Sequence, residues 1–514
     1  MRSNVFKLSA VAATVCASFA VNAAVYKVEL YGPVDSNSKT YGVAIQDSPV
    51  NCWADGADCQ TTQTNDHRIA VEERRFAAGF DYRDEAPFFY EFGFEWLARG
   101  EDGFQDYCGR FLGYVDNLCD NWVDEQYNRG YANEVNGVTD NTTAFIETTQ
   151  QNATDQNVII NSVSPLVGTH YGSGFTSRTV AFVDGSDLDI TGFTQSKAWE
   201  KAGNLTVGSV SKAHSPTELI SQAAIWDNNS LKLVATSGSA DGDSMPQGSA
   251  RAIKSDGTFA VGYNSTSNNL PVAAVFDLNN LNSIPTKFVS AYNDDNKYLN
   301  SVLTSVNSNN IAIGTVKYRE SNDGAYSNSL FYVPNITAGS LSASSFSGNI
   351  FFKSANGKAG AINNRNEVVG QIDYERHSEK GGKPRAQRAF ATVLGDRSQS
   401  DAPFKNGAYY LDDLTYGLAE NNKYRIIDAT DISDASVISG TAYYCASGYE
   451  SNAINATCGQ RETIVAVKLI PIAGTSASDI QSRPVESNKI ERSGASLGWL
   501  ALGLLTLLGF RRKQ

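Results

Sequence analysis

Between about residue 160 and residue 470 the chain repeats one pattern of apolar and polar positions. A short apolar run is followed by a turn rich in Asn, Asp and Gly. A second apolar run ends in Val-Gly or a close equivalent, a polar loop follows, and a third apolar run closes the unit. "SARAIKSDGTFAVGYNSTSNNLPVAAVFD" from Ser249 and "GKAGAINNRNEVVGQIDYERHSEKGGKPRAQRAFATV" from Gly357 are the clearest copies. Others start at Ile160, Lys201, Leu303 and Ala429, and "SKTYGVAIQDSPVN" from Ser38 is a first, broken one. The glycines at the centre of each copy are Gly168, Gly208, Gly262, Gly314, Gly370 and Gly440. Two-residue alternation within the runs suits half-buried strands, and "SDG" and "NNRNE" are turn sequences where strands reverse. Each copy is therefore a small antiparallel meander that cannot bury its own faces, so copies must pack on one another.

The spacing of the copies matches a propeller blade better than a solenoid coil. The pattern predicts an all-β, propeller-like array of six or seven meanders over residues 24–472; an irregular β-sandwich array is the alternative. One stretch breaks the alternation. In residues 84–135 Phe104, Tyr107, Cys108, Phe111, Leu112, Val115, Leu118, Cys119 and Trp122 recur at helical spacing. This predicts a helical insertion whose aromatics face inward as a satellite core, with an aromatic ligand clamp at Trp96 and Trp122 as the functional reading.

The two ends differ from the body. Arg2 and Lys7 precede an apolar run, and small residues follow up to Ala23, the order of a secretory signal peptide cut by signal peptidase over residues 1–23. At the other end, residues 494–514 are apolar all round and finish in Arg511, Arg512 and Lys513. Cations at that tip hold it on the cytoplasmic side of an inner membrane. Residues 473–493, with Pro, Ser and Gly and no periodicity, read as a flexible linker.

Export changes the meaning of the cysteines. Cys16 lies in the signal segment, and six remain: Cys52, Cys59, Cys108, Cys119, Cys445 and Cys458. An even number in an exported chain reads as disulfides, and closing short loops costs least entropy. That favours Cys52–Cys59, Cys108–Cys119 and Cys445–Cys458. His67, His170, His214 and His377 show no ligand spacing, so no metal site is expected. The net charge of −13 excludes nucleic acid as a partner.

Catalytic motifs are scarce. Ser209 and Lys212 form an SxxK pattern without an SDN partner, and Lys380-Gly381-Gly382 is a poor KTG. Gly242–Ser244 has no DxxH partner, and no GxSxG, HExxH, P-loop or GxGxxG occurs. Asp184, Asp187 and Asp189, and Asp241 and Asp243, read as solvated loop acids; Ca²⁺ is the one cofactor their oxygens suggest.

Three resemblances follow from these residues. The Ser493-Gly494-Ala495-Ser496 cluster, apolar run and Arg-rich tip resemble the GlyGly-CTERM sorting signal. This implies cleavage near Gly494 by a rhombosortase-type protease, then delivery through type II secretion to the surface or medium. "AINNRNEVVGQ" with "RAFATV" resembles HAF-type extracellular repeats, which imply a propeller-like fold. The whole chain resembles an uncharacterised family of gammaproteobacterial envelope proteins. Together they predict an exported, surface-anchored or secreted protein that binds an unknown extracellular ligand without turnover. The alternative is a secreted hydrolase or lyase acting on polysaccharide or peptide.

Overall fold

The computed structural model describes residues 24–32, 39–57, 59, 66–75, 100–138, 141–147, 149–150, 157–174, 177–215, 218–241 and 244–486. Within them the strands form seven separate four-stranded antiparallel sheets. These are the blades of a propeller. Their inner strands are Lys39–Ile45, Ile159–Val163, Gln195–Ala202, Gly248–Ile253, Tyr298–Val306, Gly357–Ile362 and Tyr424–Ile432. Each inner strand packs against the inner strands of the blades on either side, which closes the ring. The six copies seen in the sequence are the second to seventh blades. The broken copy from Ser38 supplies the inner strand of the first.

The central glycines have one physical cause. Each pairs with the inner-strand residue just before a β-bulge: Ile160, Ala198, Ala250, Leu303, Ala359 or Ala429. At the bulge a carbonyl of the inner strand closes on the glycine. A Cβ on Gly208 would stand 1.9 Å from the oxygen of Lys197, and one on Gly314 at 1.9 Å from that of Val302. The bulge in turn re-aims the side chain it carries. Val43, Asn161, Trp199, Arg251, Thr304, Gly360 and Thr430, at the bulges, are all half-buried, while the residue before each bulge lies deeper. The bulge residues thus line the central channel.

The seventh blade is closed by both ends of the body. Tyr26–Tyr31 is its outermost strand and pairs antiparallel with Thr463–Pro471, from Tyr26 opposite Pro471 to Tyr31 opposite Ala466. Tyr26 is fully buried, and its hydroxyl donates to the carbonyl of Ser436 at 3.0 Å. The segment expected as a linker departs from that expectation as far as Glu486. Arg483 is 4 % exposed, its Nε donates to the carbonyl of Asp412 at 2.7 Å and its N–H to Asp413 Oδ1 at 2.8 Å. Ile454 donates to the carbonyl of Pro484, and Asn455 and Glu486 bond each other twice. A single inserted guanidinium thus binds a stretch whose composition reads as solvent-loving. No helix among the described residues is long and apolar enough to cross a membrane. The tail, with Ser493, Gly494, Arg511 and Arg512, and the signal segment ending at Ala23 lie outside the described residues.

Candidate functional site

The loop between the second and third strands of the first blade carries the helical insertion. Glu101–Tyr107 continues through a wider turn to Leu112, and Asp116–Val123 continues through Asp124–Tyr131 to Val135. Phe104, Tyr107, Phe111, Val123 and Tyr131 form one apolar cluster with Leu219 of the third blade and Leu299 of the fifth. Val115 donates to the carbonyl of Gly382 and Gly381 to that of Gly113, which joins the insertion to the sixth blade. Glu134 pairs with Arg178 of the second blade at 3.2 Å, both side chains fully buried. A segment rooted in one blade and reaching blades on opposite sides of the ring crosses the end of the channel at which the inner strands begin.

Trp122 is half-buried and belongs to this packing, with ring centroids 6.0 Å from Tyr107 and 5.8 Å from Phe104. It is placed as part of the satellite core. Trp96 lies outside the described residues. The three disulfides join Cys52 to Cys59, Cys108 to Cys119 and Cys445 to Cys458. The second pins the turn between the two helical stretches of the insertion.

The opposite end of the channel is polar. There the residue after the bulge is Glu200 in the third blade and Asp431 in the seventh. Glu200 Oε2 accepts the N–H of Ile253 from the next blade at 2.9 Å. Asp431 Oδ2 does the same with Ile45 at 2.8 Å, and its Oδ1 accepts from Ile432. Asp47, just beyond the first inner strand, accepts from Asp434 at 2.7 Å and from Ser48. Burial pushes Glu200 up to about 7, and the charges of Asp431 and Asp47 add to the shift. Burial pushes Asp431 up to about 6, again with Asp47 contributing. Asp47 is raised by burial and by the charge of Asp434. In each case burial is the larger cause and the neighbouring acid charges the smaller one. Glu200 and Asp431 are half-buried, each with an oxygen bonded to the inner strand of the next blade. Beside Glu200, the guanidinium of Arg251 stacks 3.5 Å from the centre of the Trp199 ring. The Trp199 indole N–H is buried without a hydrogen-bond partner among the described residues.

The sequence motifs scatter instead of converging. Ser209 is fully buried, whereas Lys212, three residues on along the strand Leu205–Ala213, is exposed over the Phe193 ring. An odd offset in a strand puts the two on opposite faces, so they form no dyad. Lys380 and Gly381 sit in the loop that holds the insertion. Gly242 and Asp243 lie outside the described residues. Asp184 Oδ1 accepts from the Leu166 N–H, Asp189 Oδ1 from Thr191, and Asp187 pairs with His170 at 2.8 Å. These acids are spent on turns and a surface pair.

Glu200, Asp431 and Asp47 were not singled out in the sequence. A signal for the first two exists when the copies are aligned on their bulges. The position that holds Glu200 and Asp431 is Ala44, Ser162, Ala252, Ser305 or Ala361 in the other blades. Acid replaces a small residue at a place that packs against the next blade, where Ser305 Oγ likewise accepts from Ile362.

A family model described as "Protein of unknown function (DUF3466)" matches residues 209–513. The chain belongs to that family. The matched DUF3466 region takes in the fourth to seventh blades with Asp431, but neither the insertion nor Glu200 and Asp47. No curated protein matches this DUF3466 chain. Among solved structures it is similar to TolB from Acinetobacter baumannii, at 11 % identity and a TM-score of 0.27 over 61 % of this chain. It covers 62 % of the TolB chain, less than two thirds. A Coprinopsis cinerea GH62 alpha-L-arabinofuranosidase catalytic domain matches at 9 % identity and a TM-score of 0.23, over 52 % of this chain and 88 % of that one. The phage phi92 endosialidase matches at 9 % and 0.31, over 90 % of this chain and 71 % of that one. Likenesses this distant carry no argument about activity.

Proposed function

We propose that the protein is exported, tethered by its tail to the inner membrane as a precursor and then carried to the surface or medium, where it binds an extracellular ligand. Three local disulfides support an oxidising compartment. The ligand enters the channel at the end away from the insertion and meets Glu200, Asp431, Asp47 and the Trp199–Arg251 stack. The observation that carries this reading is the asymmetry of the channel: aromatic packing crosses one end, and half-buried polar groups line the other. Concave sites with a few convergent polar groups suit recognition. The sorting tail, rhombosortase-type processing and type II export belong to the same proposal.

One observation favours the alternative, a hydrolase or lyase. Two carboxyls on different inner strands, pushed up to about 7 and about 6, are groups of the kind from which general acids and bases are made. The test is a binding screen of the purified body against cell-wall and matrix glycans, run beside a hydrolase panel. Binding without turnover, weakened by Glu200→Gln and Asp431→Asn, is the expected result. Turnover that disappears in Glu200→Gln while binding persists makes the protein an enzyme.

A further inference from the structure

The loop after the first inner strand holds a second constellation, away from the channel carboxyls. Cys52 and Cys59 are 1 % and 6 % exposed, and His67, at the far end of the same loop, is 6 % exposed. Both sulfurs and an imidazole nitrogen of His67 lie within 4.8 Å of one another. His67 Nδ1 is buried without a hydrogen-bond partner among the described residues. A buried ring nitrogen left unpaired is costly, and its lone pair or proton needs a partner that the described residues do not supply. The apolar wall behind the group is Ile45, Ile69, Val71, Val437 and Ile470. On the other side the turn Ala54–Gly56 is exposed, which gives a way in.

We infer that Cys52, Cys59 and His67 form a latent Cys₂His site for a zinc-class cation, closed by the disulfide and opened by reduction. The disulfide takes two electrons and two protons from a dithiol, which is itself oxidised to a disulfide. The cation then displaces the two thiol protons, and the His67 nitrogen completes three protein ligands. Thiolates and imidazole at tetrahedral spacing suit Zn²⁺, with metal–sulfur distances of about 2.3 Å and metal–nitrogen distances of about 2.0 Å. The sulfurs must move apart to reach that spacing, which the short exposed turn between them permits. A fourth position stays open to water.

The test uses the full purified chain and Co²⁺ as the spectroscopic probe for Zn²⁺. The protein is treated with a phosphine reductant, and the loss of the Cys52–Cys59 bond is checked by alkylation and peptide mass. Folding is followed by circular dichroism in the same sample. The expected result is a thiolate-to-cobalt charge-transfer band that saturates at a single equivalent and is displaced by Zn²⁺. The band is absent in Cys52→Ser and in the unreduced protein. His67→Ala weakens the affinity by roughly tenfold or more, at least what losing an outer-sphere partner costs. A reduced, folded protein whose spectrum equals that of Cys52→Ser overturns the site. So does an affinity unchanged in His67→Ala. If the Cys52–Cys59 bond cannot be reduced while the ring stays folded, no cation can enter, and the inference falls with it.

Discussion

Where the inner strands begin, the ring is spanned by Phe104, Tyr107, Phe111 and Tyr131 packed on Leu219 and Leu299. Where they end, the last three blades and the first are joined by hydrogen bonds passed from turn to turn. The N–H of Ser308 donates to Asn364 Oδ1, that of Asn364 to Asp434 Oδ1, and that of Asp434 to Asp47 Oδ1, each at 2.7 Å. One residue earlier, Asn307 Nδ2 donates to the carbonyl of Asn363 at 3.0 Å and Asn363 Nδ2 to that of Ser433 at 2.9 Å. Beside a few backbone bonds and the Glu134–Arg178 pair, the first arrangement rests on non-directional burial, which accepts any set of side chains of the right volume. The second uses directional bonds, which fix the angle between neighbouring blades and leave channel-facing positions free to carry acid. The difference explains how one ring holds a closed end and a polar end without a change of strand topology.

The largest blow to the closed end is Phe104→Ala. Phe104 is fully buried and touches Trp122, Tyr127 and Tyr131. Its truncation should cost about 3–5 kcal/mol within the insertion. Hydrogen exchange should show the insertion opening while the blades keep their protection; a cooperative loss of both would merge the two ends into one unit.

Asn363→Ala strikes the other end. Asn363 Oδ1 accepts from Arg365 and Glu367, and its Nδ2 donates to Glu367 and Ser433. The fully buried Glu367 keeps its Ser400 and Ser436 hydroxyls but loses one donor. A cost of about 2–3 kcal/mol is expected, since buried groups are left unsatisfied. Denaturant melts should show the whole ring weakened, with the insertion reporting the same midpoint as the blades.

The smallest effect is that of pH on the polar end. The folded-state values of Glu200 and Asp431 are raised to about 7 and about 6. Raised carboxyls bind protons more tightly in the folded state. Their contribution is fully present below the ordinary carboxylate range, near pH 4, and is lost as pH rises through 6 and 7. Thermal midpoints should therefore fall across that window for the wild type. Glu200→Gln with Asp431→Asn should flatten the fall; an unchanged slope would assign it to other buried acids such as Asp373, itself raised to about 7.

The blades were legible because their constraint is local. A glycine is needed wherever the bulge carbonyl approaches, and a turn needs Asn, Asp or Gly, so both leave a mark in every copy. The insertion was legible from apolar residues at helical spacing. The role of Asn307 and Asn363 as staples between blades was not, because an Asn that bonds its own turn looks the same in sequence as one that also bonds its neighbour. Glu200 and Asp431 were hidden for a similar reason: an acid inside a strand tells nothing of the bulge that seats it against the next blade. The stretch up to Glu486 misled because one Arg483 outweighs a dozen polar, loop-like neighbours.

The pairing of Tyr26–Tyr31 with Thr463–Pro471 sets a timetable for the molecule. Synthesis runs from the N-terminus at about 5–20 residues per second, so the first strand waits roughly 20–90 s for its partner. Throughout that interval it is a bare edge, the kind that recruits other chains. Lys27 and Glu29, paired at 2.9 Å on its solvent side, place charge on that edge. A ribosome stalled anywhere before Pro471 would hold an open ring, and a chain released too early would be a ready substrate for proteases and chaperones.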